Sequence, residues 1–232
     1  MRRFSALIAI TALCVVSAVL CSSAQTNDGE DDAIVTNHII SDSFEGTSIS
    51  PKVWGFYGTN QPNNITLTQK DDALYVSVSS AATNDFTAGL TTRCKLRGDF
   101  DAVLSFKLVT WPPKNGVWLN LGTDSPFNVY RVTWQYDTGD DYGAYLPPAG
   151  AIAPASGNSG VLRLSRLAGK WTAYYLSGSN WVALASGLGP TSDIALGPGV
   201  FNLSNVLPFG GAATTVAFNG FHAIAAAVVC PN

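Results

Sequence analysis

The sequence contains few charged residues, and this excludes several classes of protein. Charged residues make up 12% of the 232 residues and hydrophobic residues 47%, against about 25% charged residues in an average soluble domain. A disordered chain or a coiled coil needs many more charged residues, so neither is expected. The formal net charge is −3, which provides no basic excess for binding nucleic acid.

Histidine and glutamate are also scarce, which leaves few residues for catalysis. The two histidines, His38 and His222, lie far apart in the sequence. There is no Gly-x-Ser-x-Gly turn, no phosphate-binding loop and no dinucleotide-binding fingerprint. The sequence therefore favours a non-catalytic protein.

The first residues have the form of a secretory signal peptide. Arg2 and Arg3 precede an apolar run over 6–20, and the small residues Ser22, Ser23 and Ala24 follow. This order of a basic start, an apolar core and small residues is typical of a signal peptide, here residues 1–24. The alternative is a membrane anchor, but the run is shorter than the about 20 residues that span a bilayer. We therefore expect a secreted, extracellular protein without a membrane span.

Cleavage after residue 24 leaves two cysteines, Cys94 and Cys230. In an oxidising compartment such a pair usually forms a disulfide, although two buried free thiols are the alternative. Asn64 and Asn202 each begin an N-glycosylation sequon, which matters only in a host that glycosylates.

The rest of the chain alternates between apolar and polar residues in short segments. Segments at 74–78, 100–108, 117–121, 130–136 and 162–165 show this period of two, and turn residues separate them. Alternation of this kind predicts half-buried strands, and many short strands predict a β-sandwich or barrel. We expect a disordered acidic leader at 25–37 and a single all-β domain at 38–232.

Three stretches, in this order, resemble the concanavalin A-like lectin/glucanase superfamily. They are DSFEGTSISPKVW at 42–54, LRLSRLAGKWTAYYLSGSNW at 162–181, and GVF at 199–201 followed by VAFNGF at 216–221. The resemblance implies a jelly-roll sandwich of two curved antiparallel sheets, with a concave face that often holds glycans. It indicates a fold rather than an activity, because one fold hosts many functions.

The catalytic pattern of the glucanases in that superfamily is absent. Those enzymes carry their two glutamates on one strand as E-x-D-x-x-E, which brings two carboxyl groups within about 5 Å. The only glutamates here are Glu30 and Glu45, and the nearest pair of aspartates is Asp99 and Asp101. We interpret that pair as solvent-facing charges at the start of a strand.

The strand pattern also suggests candidate ligand-binding residues. Trp118 and Asn120 alternate with apolar residues, and so do the polar residues of the following strand. Sugars are bound by an aromatic ring together with hydrogen-bonding side chains. If these strands are neighbours in the concave sheet, one groove is lined by Trp118, Asn120, Arg131, Thr133, Gln135 and Arg163, with Trp111 above it. The alternative is an ordinary wet sheet face. On this assignment Trp134 lies on the buried face.

A loop with clustered aspartates is a weak candidate for a calcium site. Asp137, Asp140 and Asp141 surround Gly139, and Ca²⁺ prefers such oxygen ligands. The same residues also form an ordinary hairpin turn, so no cofactor is predicted.

Together these observations predict a secreted, non-catalytic, lectin-like protein that binds a polysaccharide or glycan at the cell surface or in the extracellular matrix. A glycoside hydrolase or polysaccharide lyase with atypical catalytic residues is the first alternative. A structural protein of the cell envelope is the second.

Overall fold

The described part of the chain is built from β-strands and contains no α-helix. The computed structural model describes residues 33–57, 61–123, 126–136 and 139–231. No helix in these ranges is long and apolar enough to cross a membrane. The predicted signal peptide, 1–24, lies outside the described residues.

The strands form two sheets, in which every pairing is antiparallel. The nine-stranded sheet consists of β1 (Ile34–Val35), β2 (Ile39–Asp42), β4 (Ile65–Lys70), β5 (Ala73–Val78), β7 (Lys95–Thr110), β12 (Ser159–Leu167), β13 (Lys170–Ser177), β14 (Asn180–Leu188) and β16 (Thr214–Val229). The seven-stranded sheet consists of β3 (Trp54–Tyr57), β6 (Thr87–Thr92), β8 (Val117–Thr123), β9 (Asn128–Thr133), β10 (Asp140–Leu146), β11 (Ala149–Ala155) and β15 (Leu196–Phe201). This confirms the predicted two-sheet antiparallel sandwich.

The long strand β16 pairs with three other strands of the nine-stranded sheet, β2, β5 and β7. The nine-stranded sheet runs β1-β2-β16-β7-β12-β13-β14. The first part of β16 pairs with β5 and a later part pairs with β2, so β4 and β5 lie on the same side of β16 as β2. The order in the seven-stranded sheet is β11-β10-β9-β8-β15-β6-β3.

Alternating apolar residues from both sheets meet in one core. Phe100, Ala102, Leu104, Phe106 and Leu108 of β7 are all buried there, as the period of two predicts. Val117, Leu119 and Leu121 of β8 reach the same core from the facing sheet. Their neighbours Trp118 and Asn120 must therefore lie on the outer face of the seven-stranded sheet, since successive side chains of a strand point to opposite faces.

The buried carboxylate of Asp42 connects residues within the stretch at 42–54. Asp42 Oδ2 accepts a hydrogen bond of 2.5 Å from Trp54 Nε1, and Oδ1 accepts one of 2.6 Å from the Phe44 amide. The rings of Phe44 and Trp54 stack with their centroids 5.7 Å apart. These contacts attach the β2–β3 connection to the core.

The hairpin of β12 and β13 contains a buried arginine. The Arg166 guanidinium is 2% exposed and donates hydrogen bonds to the carbonyl oxygens of Gly98, Pro190 and Ser192. It also lies 5.5 Å from the ring centroid of Trp171. This one side chain therefore fastens the hairpin to β7 and to the loop between β14 and β15.

Cys94 and Cys230 form a disulfide, as predicted. Cys94 precedes β7 and Cys230 follows β16, and these two strands pair as far as Val229 and Lys95. The bond therefore closes the end of the longest strand pair. The predicted disordered leader at 25–37 needs a correction, because Ile34–Val35 already forms β1 and pairs with β2.

Candidate ligand groove

A groove of about 780 Å³ lies on the outer face of the seven-stranded sheet. Its walls include groove-facing residues of the central strands β8, β9 and β15 and residues of the loop after β15. The lining residues are Tyr57, Thr87, Leu90, Thr91, Trp118, Asn120, Gly122, Thr123, Pro126, Asn128, Tyr130, Tyr145, Gly197, Pro198, Gly199, Phe201, Leu203 and Val206. The predicted residues Trp118 and Asn120 both belong to it.

Aromatic rings form one end of the groove. The Trp118 ring lies 4.6 Å from Tyr130 and 5.1 Å from Phe201, measured between centroids. Trp134 meets Trp118 edge-on at 6.2 Å. With Val132 and Leu207, these residues make a second apolar cluster outside the main core. Trp118 is consequently only 9% exposed.

Glycines make room for the polar and aromatic side chains of the groove. A Cβ atom on Gly143 would lie 2.2 Å from Tyr130 Cε2, so the Tyr130 ring packs directly on the β10 backbone. A Cβ atom on Gly122 would lie 2.5 Å from Asn120 Nδ2. The side chain of Asn120 therefore occupies space that only glycine leaves open.

Three polar groups of the groove have no hydrogen-bond partner among the described residues. Trp118 Nε1 and Asn128 Oδ1 are buried and unpaired. No hydrogen bond is formed by the half-buried amide of Asn120, which lies between them along the groove face. The opposite end of the Asn128 amide makes one long bond of 3.3 Å, to the Pro126 carbonyl. Because Trp118 Nε1 and Asn128 Oδ1 are enclosed by protein, the half-buried Asn120 amide is the one of the three that a ligand can reach, and a hydrogen bond there would contribute about 0.5–1.5 kcal/mol.

The described lining of the groove contains no charged side chain. Outside this lining, Asp141 lies opposite Val132 in the β9–β10 pairing and accepts a 2.5 Å hydrogen bond from Trp134 Nε1. Burial raises the pKa of Tyr130, and the Asp141 carboxylate raises it further. Tyr130 therefore enters the groove as a neutral phenol.

The structure contradicts the predicted placement of Arg131, Thr133 and Gln135. Arg131 pairs across the sheet with Leu119, which points into the core, so the polar residues of β9 face inward. Arg131 is 2% exposed and Thr133 is fully buried. Gln135 follows the strand and does not line the groove. Tyr130, Val132 and Trp134 take the outer face instead, so Trp134 is not on the core side.

Arg131 is part of a buried network between the sheets. Its Nη2 lies 2.8 Å from Asp140 Oδ2, and the guanidinium also donates to the carbonyl oxygens of Ser156 and Gly157. The same Asp140 oxygen accepts a 2.9 Å bond from Trp111 Nε1. Trp111 packs against the main core and is absent from the groove lining, which corrects its predicted place above the groove.

Arg163 belongs to the other side of the molecule. It lies on β12 of the nine-stranded sheet, where its Nε donates to Asp101 Oδ1 at 2.8 Å. Tyr174 and Trp181 flank its guanidinium at 5.0 and 5.3 Å. The predicted groove therefore cannot contain Arg163. Asp99, the other aspartate considered above, accepts a hydrogen bond from the Ala168 amide.

The aspartates of the calcium candidate are engaged with other groups. Asp140 binds Arg131 and Trp111, and Asp141 binds Trp134; Asp137 lies outside the described residues. Among the residues that the structure describes, no three metal-ligating side chains come together.

The Asn202 sequon is inaccessible, which contradicts its predicted glycosylation. Asn202 is fully buried, and its Nδ2, the atom that would carry the glycan, donates to the carbonyl oxygens of Gly116 and Leu207. Asn64 is half-buried at the start of β4, and its glycosylation stays a prediction.

Sequence reasoning missed most of the aromatic and amide residues of the groove. By its alternation with Arg131, Tyr130 falls with Trp134 on the predicted core side of β9, and no pattern in the sequence singles out Asn128, Tyr145 or Phe201. The one available signal was the period of two in β9, which groups Asn128 with Tyr130 but does not say which face is outward.

Comparison with solved structures identifies similar folds at low sequence identity. A prokaryotic β-1,3-1,4-glucanase (lichenase) derived from a mouse hindgut metagenome is 14% identical, with a TM-score of 0.57 over 81% of this chain and 98% of that chain. The Bacillus licheniformis β-glucanase is 11% identical, with a TM-score of 0.57 over 82% of this chain and 99% of the other. A legume lectin-like domain from Entamoeba histolytica is 10% identical, with a TM-score of 0.51 over 75% and 90%.

No family model and no curated protein matches the sequence. The structural likeness agrees with the resemblance of the three sequence stretches and with the two antiparallel sheets described above. The chain therefore has the concanavalin A-like jelly-roll fold.

Proposed function

We propose that the chain is a secreted, non-catalytic, lectin-like protein that binds a glycan in the groove, at the cell surface or in the extracellular matrix. The observation that carries this proposal is the half-buried amide of Asn120 in an aromatic groove, where none of the described residues forms a hydrogen bond with it. Sugar rings have apolar faces that pack on aromatic rings and hydroxyls that bond to amides. Glucanases and a lectin-like domain share the fold, which supports a carbohydrate ligand.

The chemistry of the groove supports a non-catalytic role. Hydrolysis of a glycosidic bond ordinarily needs two carboxyl groups on either side of that bond. The groove-facing positions of β8 carry Trp118, Asn120 and Gly122, and no aspartate or glutamate occurs in the described lining. The nearby Asp141 is held by Trp134. Secretion is supported by the N-terminal sequence and by the Cys94–Cys230 disulfide.

A glycoside hydrolase with atypical residues is the second candidate. It is favoured by the structural neighbours, most of which are glucanases or other glycoside hydrolases by name. Release of reducing ends from polysaccharides by the purified protein would establish this alternative. The envelope-protein alternative has less support, because the groove is open rather than filled by loops.

Binding is tested with a glycan array and polysaccharide pull-down, using the wild type and Asn120→Ala. We expect Asn120→Ala to weaken binding by about 2- to 13-fold, the equivalent of one hydrogen bond of about 0.5–1.5 kcal/mol. The matched control is Asn180→Ala, in the exposed β13–β14 turn of the other sheet, which should bind as the wild type does. Absence of binding to plant, algal, fungal and bacterial glycans would refute the proposal.

The aromatic part of the site is tested at its rim. Tyr145 lines the groove and is 49% exposed, whereas Tyr136 is 81% exposed and lies outside it. Tyr145→Ala should lower affinity without lowering the melting temperature, and Tyr136→Ala should change neither. Equal loss of binding in both variants would show that the ligand does not occupy the groove.

A further inference from the structure

The two sheets differ sharply in their basic residues. The strands of the nine-stranded sheet carry Lys70, Lys95, Arg97, Lys107, Arg163, Arg166 and Lys170. The strands of the seven-stranded sheet carry a single basic residue, Arg131. Because Arg131 faces inward and pairs with Asp140, the outer face of these strands offers no cation to a ligand.

The basic residue that follows β6 does not supply a cation to the groove either. Arg93 follows β6 at the margin of the sheet, but its Nε donates to the Trp54 carbonyl and it does not line the groove. The polar groups that do line it are neutral amides, hydroxyls and an indole N–H. The charge that contacts the aromatic cluster through Trp134 is negative, the carboxylate of Asp141.

From this distribution of charge we infer that the groove selects uncharged glycans and excludes those that carry carboxylate or sulfate groups. The inference rests on the proposed function and names the class of glycan. An anionic group in the groove would lose part of its hydration without gaining a cationic partner, which is unfavourable in a partly buried site. It would also lie in the field of the Asp141 carboxylate, which acts on Tyr130 in the groove lining and repels an anion.

A neutral glycan meets none of these penalties. Its hydroxyls can both donate and accept, so they can donate to the amide oxygen of Asn120 or accept from its NH₂ group. Its apolar ring faces match the rings of Trp118 and Tyr130. Since no ion pair forms, the affinity should be nearly independent of ionic strength, unlike that of a site that binds anions through exposed cations.

The test compares neutral and anionic polymers on the same backbone. Suitable pairs are curdlan and carboxymethyl-curdlan, hydroxyethylcellulose and carboxymethylcellulose, and dextran and dextran sulfate. The dissociation constants of the full chain are measured at about 0.1 M and about 1 M salt, over which the Debye length falls from about 10 to about 3 Å. For the backbone that binds, we expect the anionic polymer to be at least about tenfold weaker and the neutral polymer to be unaffected by salt.

Two charge variants make the test specific to the groove. Asn120→Lys places a cation in the groove, and Ser165→Lys places one on the outer face of the other sheet. Asn120→Lys should weaken neutral binding and strengthen anionic binding in a salt-dependent manner, whereas Ser165→Lys should leave the neutral polymer unchanged. Circular dichroism and thermal melting confirm that both variants fold.

The outcomes separate this inference from the proposed function. Anionic binding that equals neutral binding and is weakened by Asn120→Ala would overturn the charge selectivity and leave the glycan groove in place. If Asn120→Ala weakens binding of the neutral polymer but does not change binding of the anionic polymer, the inference is supported, because the anionic polymer then binds outside the groove. Failure of both kinds of polymer to bind, together with absence of binding on the glycan array, would refute the proposed function and the inference together.

Discussion

Removal of the Arg131 side chain should destabilise the protein without acting on the groove directly. Arg131 and Asp140 form an ion pair whose side chains are 3% and 17% exposed. Arg131→Ala leaves the Asp140 carboxylate without its cation and removes the donor to the Ser156 and Gly157 carbonyls. Only the 2.9 Å bond from Trp111 would remain on that carboxylate oxygen.

The expected loss follows from the burial of the pair. Breaking a buried ion pair by removing one partner costs about 3–5 kcal/mol, because a buried charge is left unpaired. For a domain of this size, 1 kcal/mol corresponds to about 2–4 °C, so the melting temperature should fall by about 6–20 °C. Scanning calorimetry or circular dichroism at neutral pH measures both quantities.

Two further variants test the reasoning. Arg97→Ala removes an arginine from the exposed pair with Asp193, whose side chains are 58% and 29% exposed, and it should change the melting temperature little because exposed pairs contribute little. Arg131→Met combined with Asp140→Asn should recover part of the loss, since no buried charge remains. If Arg131→Ala melted like the wild type and lost glycan binding, the inward placement of Arg131 would be refuted.

Three other outcomes are expected. Trp118→Ala should lower the free energy of unfolding by about 3–5 kcal/mol through the cavity it leaves in the outer aromatic cluster, as chemical denaturation would show; a change below about 1 kcal/mol would mean that the ring is not packed. Cys94→Ser should lower it by about 2–5 kcal/mol, and alkylation of both cysteines without reductant would show that the bond is absent. Hydrogen bonds from the Ser204 hydroxyl and amide hold the pKa of Asp85 below its ordinary 3.8. The ionised Asp85 therefore stabilises the fold above that pH, and this contribution is lost as the pH falls through the lowered pKa. If an Asp85→Asn variant stayed less stable than the wild type in acid, this reasoning would be contradicted.

The sequence predicts the fold well because the fold depends on local patterns. Alternation in β7 and β8 identifies their core residues, and the hydrogen bonds of Asp42 account for the spacing of Asp42, Phe44 and Trp54 in this sequence. These features involve residues close in the chain or repeated with a period of two. They need no knowledge of which strands are neighbours.

Only part of the groove can be predicted from the sequence, because its residues depend on which sheet each strand joins and on which face of each strand points outward. Polarity alone places Arg131 and Thr133 of β9 in solvent, but Asp140 on the next strand and two loop carbonyls satisfy Arg131 inside the protein. Tyr130 and Val132 are free to face outward because a second apolar cluster exists there. The prediction that Arg163 lines the groove is wrong for a related reason. Alternation does not distinguish a strand of one sheet from a strand of the other.

The outer aromatic cluster also couples folding to binding in this molecule. Trp118 and Tyr130 line the groove, yet both are more than nine-tenths buried and pack on each other, so substituting them changes stability and ligand contact together. Asn120 lies beside them without a hydrogen bond to lose in the free protein. A substitution there changes what the groove offers to a ligand while leaving the cluster packed. For this reason the amide of Asn120, rather than the more conspicuous tryptophan, is the position at which a binding role can be measured separately from a structural one.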